Sequence, residues 1–255
     1  MKNLLRIIIG CLIMSFLNSC KQDAFDYSNT GILSFEDFSI SVSDPIISSV
    51  SDDYIVRIHG ISSEEMDYES TYRQTKSLGE ITLNAGEYML EVSSSETIPD
   101  VAFDNPVFGC SVPISIEYGK TTKVDDLACT LLQCAISIEY NEEFLKSVTG
   151  NGTASVEILS GKSLKYPLTL ADDGVISFEK RNGYFYMGDA ESSTMIITYI
   201  GYIDGHRVKM TTTINDIKAG EHHVITLMKK NSVNDDPEFM FGIDDLISDD
   251  VLDNS

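Results

Sequence analysis

The stretch "VPISIEYGKTTKVDDLACTL", residues 112–131, alternates apolar and polar side chains on both sides of a Gly-Lys pair. A period of two is the signature of half-buried β-strands. Gly119 can take positive φ at little cost and so close a tight turn between the two runs. If Gly119 and Lys120 form a two-residue hairpin loop, the register sets Cys110 opposite Cys129. The same register sets Pro113 against Asp126 at a non-hydrogen-bonded site, where proline's missing donor does no harm. A three-residue loop with a bulge shifts the register, breaks that match and leaves Cys110, Cys129 and Cys134 as buried apolar thiols. Both readings stay open at this level, as does the disulfide between Cys110 and Cys129.

The alternation extends in both directions. Before this stretch lie "GILSFEDFSISV" from Gly31, "YIVRIHG" from Tyr54 and "GEITLNAGEYMLEVSS" from Gly79. After it come "CAISIEY" from Cys134, "ASVEIL" from Ala154, "VISFEK" from Val175, "STMIITYIGYIDGHRVKMTTTI" from Ser193 and "HHVITLM" from His222. Short strands this numerous, with turn residues between them and no long helical stripe, predict an all-β fold. The expected architecture is two consecutive antiparallel β-sandwich domains of immunoglobulin or transthyretin-like type. Gly86, Gly119 and Gly220 each precede a charged residue and then an alternating strand, and are read as positive-φ corners. Only "YNEEFLKSV", residues 140–148, reads as a helical turn, capped by Asn141, with Glu142 and Glu143 in its first turn and Phe144 buried. The domain boundary is placed near residues 131–133, giving domains 31–131 and 132–230.

Residues 231–255 differ in character, carrying eight acids and no Lys or Arg. Self-repulsion predicts a flexible, disordered tail. The alternative is docking, through a short helix from Ile243 that places Ile243, Leu246 and Ile247 on one face.

The other end of the chain carries an address. Lys2 and Arg6 precede an apolar run from Ile7 to Leu17, suited to a signal-peptide core and too short to span a bilayer. Leu17, Asn18, Ser19 and Cys20 then form a lipobox. Residues 1–19 are thus expected to be a lipoprotein signal peptide, Cys20 the lipidated residue and residues 20–30 a tether. Several acyl chains on one residue hold a protein at a membrane without a spanning helix. The expected location is the outer membrane, lipid-anchored and on the cell surface, as the acid-containing tract from Lys21 to Asp26 suggests; the periplasmic face is the alternative. The chain holds 40 acids against 18 Lys and Arg, a formal charge of −22. Loss of residues 1–19 removes two bases and no acid. Such a surface repels phosphate backbones and anionic headgroups, which argues against nucleic-acid binding and leaves the lipid as the membrane contact.

No catalytic residue, metal site or cofactor is expected. Of His59, His206, His222 and His223, the last two are adjacent on a strand, so their side chains point to opposite faces and cannot share one metal. Cys129 and Cys134 lack zinc-ligand spacing. "LSGKSLKY" has Val156 where a phosphate-binding loop needs its first glycine. Neither HExxH nor a nucleophile elbow occurs. "NGYFYMGD", residues 182–189, groups aromatics between glycines. Tyr184 and Tyr186 are the candidates to stack on a sugar ring, against the alternative of core and edge packing.

At "AFDNPVFGCSVPISIEYGKTTKVDDLACTL" the chain resembles a Bacteroidota lipoprotein family known only as domain of unknown function 4493. Ala102, Phe103, Asp104, Asn105, Pro106 and Phe108 carry the likeness, with Gly119, Lys120, Thr121, Thr122 and Val124, then Cys129 and Leu131. "GILSF" and the "EEF" segment extend it over roughly residues 31–230. The resemblance implies a fimbria-related or adhesin-like sandwich lipoprotein of the envelope, and carries over no functional residue. The expectation is therefore a non-enzymatic structural or adhesive protein whose partners are other envelope or fimbrial proteins. The alternative is a glycan-binding lipoprotein serving polysaccharide uptake.

Overall fold

The computed structural model describes residues 29–42, 50–61, 66–188, 190, 192–230 and 238–245. The expected signal peptide, Cys20 and most of the tether lie outside the described residues.

Alternation becomes two layered bodies, each with its own core. The first is built from β1 (Thr30–Ser34), β2 (Ser39–Val42), β3 (Ile55–Gly60), β4 (Met66–Thr71), β5 (Glu80–Asn84), β6 (Gly86–Ser93), β8 (Phe108–Ile116), β9 (Thr121–Lys123) and β10 (Asp126–Leu131). They form a six-stranded sheet, β2-β10-β8-β6-β3-β4, and a three-stranded one, β5-β1-β9. Leu33, Phe35, Phe38, Val56, Ile58 and Leu90 are fully buried between them. The second body uses β11 (Cys134–Tyr140), β12 (Val148–Ile158), β13 (Ser163–Leu170), β14 (Ile176–Phe178), β15 (Gly183–Phe185), β16 (Ser193–Ile203), β17 (His206–Ile217), β18 (His222–Lys230) and β19 (Glu238–Asp245). Its sheets run β14-β13-β12-β16-β17 and β19-β18-β11-β15-β7, the last strand being β7 (Val101–Phe103) from the first half of the chain. Strand β16 shows the rule plainly: Met195, Ile197, Tyr199 and Ile203 face the core, while Ile196, Ile200 and Tyr202 face solvent.

The all-β sandwich-like class is as expected, with additions that alternation could not supply. Three pairings are parallel, β1 with β9, β2 with β10 and β11 with β18. Residues 112–131 are not a simple hairpin. The chain leaves the sheet after Ile116, turns at Gly119 (φ 66) and lays β9 against β1 in the other sheet. It then returns as β10, pairing Thr130 with Gly109 and Leu131 with Phe108. Pro113 pairs with Met89 of β6, and the β8–β10 ladder consists of the Thr130–Gly109 and Leu131–Phe108 pairs, so it does not run as far as Pro113 and Asp126. Gly220 also has positive φ, whereas Gly86 opens β6 without it.

Two short helices occur among the described residues. The one expected at residues 140–148 is α2 (Glu142–Ser147): the Asn141 side-chain oxygen accepts from the Phe144 N–H at 2.8 Å and Phe144 is fully buried. The other, α1 (Tyr72–Leu78), was not expected. Thr71 caps it in a reciprocal box with Gln74, a T-x-x-Q signal present in the sequence.

Within residues 238–245 the expectation of disorder is corrected, and docking occurs through a strand and not the expected helix. Residues 238–245 are a strand, β19, antiparallel to β18 over eight register pairs from Lys230–Glu238 to His223–Asp245. Ile243 therefore lies on a strand, not in a helix. Phe239 and Phe241 pack on the second core, Phe239 edge-on to Phe144 at 6.1 Å, and Lys229 lies over the Phe239 ring. Burial of two aromatic rings outweighs the charge repulsion that favours an unfolded tail. Residues 231–237 and 246–255 lie outside the described residues.

Candidate functional site

The chemistry-bearing residues gather where the two bodies meet, around β15. This strand is three residues long and is paired on both sides, to β11 through Tyr184–Ala135 and to β7 through Tyr184–Ala102. Gly183 is required at its start, because a Cβ there would collide with the Tyr166 hydroxyl and with Leu164. That hydroxyl donates to the Ile136 carbonyl at 3.1 Å, and burial pushes its pKa well above the ordinary tyrosine value.

Successive residues of β15 point opposite ways. Phe185 is fully buried in the second core, while Tyr184, 9% exposed, joins the first core together with Ala135. Tyr184 is thus withdrawn from solvent, and its expected role as a stacking platform is replaced by packing between the bodies. Tyr186, one residue beyond the strand, is half-buried and its N–H donates to the Asp100 carbonyl at 2.9 Å. It lines two clefts. One, of about 440 Å³, is walled by Arg57, Glu91, Ser93, Glu96 and Ser111 and also touches Cys110. The other, of about 400 Å³, runs along Asp100, Leu159 and Met187. Arg57 is held by Glu69, with Nε to Oε2 at 2.6 Å. Sequence reasoning reached Tyr186 but missed Arg57, Glu91 and Ser111. They come from three strands whose adjacency depends on sheet order, and nothing local marks them.

Cys110 and Cys129 are brought together. Continuing the β8–β10 ladder by one pair sets them opposite each other, and the Cys129 thiol donates to Cys110 Sγ at 3.4 Å. Both thiols are free. Cys129 is fully buried, whereas Cys110 is half-buried at the edge of the larger cleft. The hydrogen bond from Cys129 lowers the Cys110 pKa, and the same bond together with burial raises that of Cys129. Cys134 is buried elsewhere, with its thiol toward the Ala135 carbonyl at 3.7 Å.

A third cluster lies on the outer side of β11. Ser137 Oγ is 2.7 Å from Asn182 Oδ1 and 2.7 Å from His222 Nε2. The Asn oxygen can only accept, so the serine's single proton goes to it and His222 Nε2 must donate to the serine. His222 is therefore not the base that an activated serine nucleophile needs. His223 points to the other face, buried, with Nε2 3.1 Å from Glu221. Among the described residues no group of three or more His, Cys, Asp or Glu is placed to hold a metal ion, and no helix is long and apolar enough to cross a membrane.

Residues 29–250 match the family described as Domain of unknown function (DUF4493). The chain belongs to this family. No curated protein matches the DUF4493 chain. Among solved structures, it is similar to a proposed cell adhesion protein of Bacteroides eggerthii, with 8% identity, a TM-score of 0.42, and 85% of this chain and 95% of the other covered. A proposed polysaccharide-binding protein of Bacteroides thetaiotaomicron gives 10% identity and a TM-score of 0.44 over 78% and 92%. A fimbrial assembly protein of Parabacteroides distasonis gives 11% identity and a TM-score of 0.37 over 85% and 98%.

Proposed function

We propose that this DUF4493 chain is a non-enzymatic envelope lipoprotein, anchored through Cys20 on the outer membrane and displayed at the cell surface. It acts there as a structural or adhesive component that joins other envelope proteins. The observation that carries the reading is β19, a strand near the end of the chain laid along a sheet edge. A strand in that position is held by main-chain hydrogen bonds and by alternate side chains, the means by which sheets recruit strands from other chains. Phe239 and Phe241 supply the specificity and the exposed Met240 lies on the opposite side. Two measurements test it. Tagged chain recovered from envelope extracts should bring down partners that a chain lacking residues 231–255 does not; unchanged capture would refute the strand-joining role. Protease added to intact cells should degrade the protein, and protection would move it to the periplasmic face.

A second reading, glycan capture, is favoured by one observation: Tyr186 is shared between two clefts, one of them walled by serines, carboxylates and Arg57. Aromatic rings beside such groups grip sugars through their apolar faces. On a glycan array the wild-type protein should then give hits that Tyr186→Ala loses. An array without wild-type hits ends this reading.

A further inference from the structure

We propose that Cys110 and Cys129 are joined by a disulfide in the exported protein, and that this bond closes the loop carrying β9. Three observations converge on the pair. Opposed in adjacent antiparallel strands, the two thiols approach to 3.4 Å. One of them is reachable, since Cys110 borders a cleft of about 440 Å³, while Cys129 behind it is fully buried. The third cysteine among the described residues, Cys134, is buried in the core of the other body with its thiol toward the Ala135 carbonyl at 3.7 Å, away from this pair.

The order of events follows from this layout. Cys110 accepts the hydrogen bond from Cys129, which favours its thiolate, and it is the sulfur that faces solvent. Its thiolate attacks a disulfide of the oxidant, either an envelope dithiol oxidase in its disulfide form or oxidised glutathione. One sulfur of the oxidant leaves as thiolate and a mixed disulfide forms on Cys110. Cys129 then loses its proton and attacks Cys110 Sγ, breaking the mixed bond and expelling the second oxidant thiolate. Two thiols of the chain are oxidised, one disulfide of the oxidant is reduced to two thiols, and the two protons end on that product.

What the bond would hold is specific to this fold. Between the two cysteines the chain crosses to the small sheet, pairs β9 with β1 in parallel, and returns. On the six-stranded sheet, β10 also carries β2, and Asp126 at its start accepts from the Ser39 and Ser41 hydroxyls. A link at the base of the excursion therefore fastens β9, β10 and β2 to β8 at one point, and through β9 it reaches β1. A cross-link of this kind restricts the unfolded chain chiefly through the loop that it closes.

The inference leans on export as read from the leader, so the test has an arm that does not. In the first arm, full-length protein from the membrane fraction is alkylated without reductant and digested. The expected result is one cross-linked peptide pair holding Cys110 and Cys129. Quantitative alkylation of both, or a link to Cys134, overturns the proposal. In the second arm, reduced purified protein is treated with oxidised glutathione. The wild type should lose two thiols without retaining glutathione, Cys129→Ser should keep glutathione on Cys110, and Cys110→Ser should react far more slowly. Equal trapping by the two variants, or no wild-type reaction, overturns the pairing whatever the fate of the exported protein. Reductant should lower the melting temperature of the oxidised wild type by roughly 5–10 °C and leave that of Cys110→Ser unchanged.

Discussion

At the scale of single residues, the second core buries two tyrosine hydroxyls that its described residues do not satisfy. The hydroxyls of Tyr140 and Tyr199 are buried with no hydrogen-bond partner among the described residues. The Tyr199 hydroxyl lies over the backbone of Gly152 and Gly201, where any Cβ would strike it. Removing an unpaired buried hydroxyl recovers its desolvation penalty, so Tyr199→Phe should stabilise the protein by about 1 kcal/mol. Gly201→Ala should cost about 2 kcal/mol, and somewhat less when combined with Tyr199→Phe, which removes the nearest obstacle, the hydroxyl, but leaves the ring carbon that bore it. Urea midpoints of the four proteins in that cycle check this. Glu179 offers a second test. The Arg181 guanidinium binds it through Nε at 3.0 Å and Nη2 at 2.7 Å, and these hydrogen bonds hold its pKa down at about 2. A depressed folded pKa means that the stabilising contribution is full above the ordinary carboxylate range, near pH 4.5, and is lost as pH falls toward 2. Melting temperature between pH 6 and pH 2 should therefore decline more steeply for the wild type than for Glu179→Gln.

At the scale of elements, β7 matters most. It is supplied by the first half of the chain, yet it is the last strand of a sheet in the second body. Phe103 packs edge-on against Tyr166 at 5.0 Å, and the Arg181 guanidinium covers its ring at 4.7 Å. Phe103→Ala should cost about 2 kcal/mol, below the range for a fully buried ring because Phe103 is half-buried. Chemical denaturation followed by a probe in the second half measures it. The alternation of β8, β16 and β18 was legible because one face of each meets a core and the other does not. Strand β7 was not: three residues hold too little pattern to declare a partner, and the partner lies some eighty residues downstream. The break in the 112–131 hairpin was equally hidden, since a tight turn at Gly119 is compatible with either route and sheet order decides between them. For β19 the apolar residues were visible, but their competition with eight acids is settled only by tertiary contacts such as that of Phe239 with Phe144. At the junction, Tyr184 and Tyr186 were found as a pair, and only the strand's two-sided pairing separates the buried ring from the half-exposed one.

At the scale of the whole molecule, the two bodies trade material. Val101 and Phe103 pack on the second core, and Ala135 and Tyr184 complete the first. Reciprocal exchange couples their unfolding, so a single calorimetric transition is expected, with matching calorimetric and van't Hoff enthalpies. Two resolved transitions would show that the exchanged residues contribute little. The position of β1 bears on how such a chain would withstand tension. If the chain is anchored through Cys20 as proposed, a tug from the membrane would arrive at Thr30 and meet a strand clamped on both flanks, by β5 over five residue pairs and by β9 over three. Force directed along that strand loads both ladders in shear, so their bonds must yield together and cannot be unzipped singly. The narrow central strand of the smallest sheet would then be the mechanical clamp of the protein.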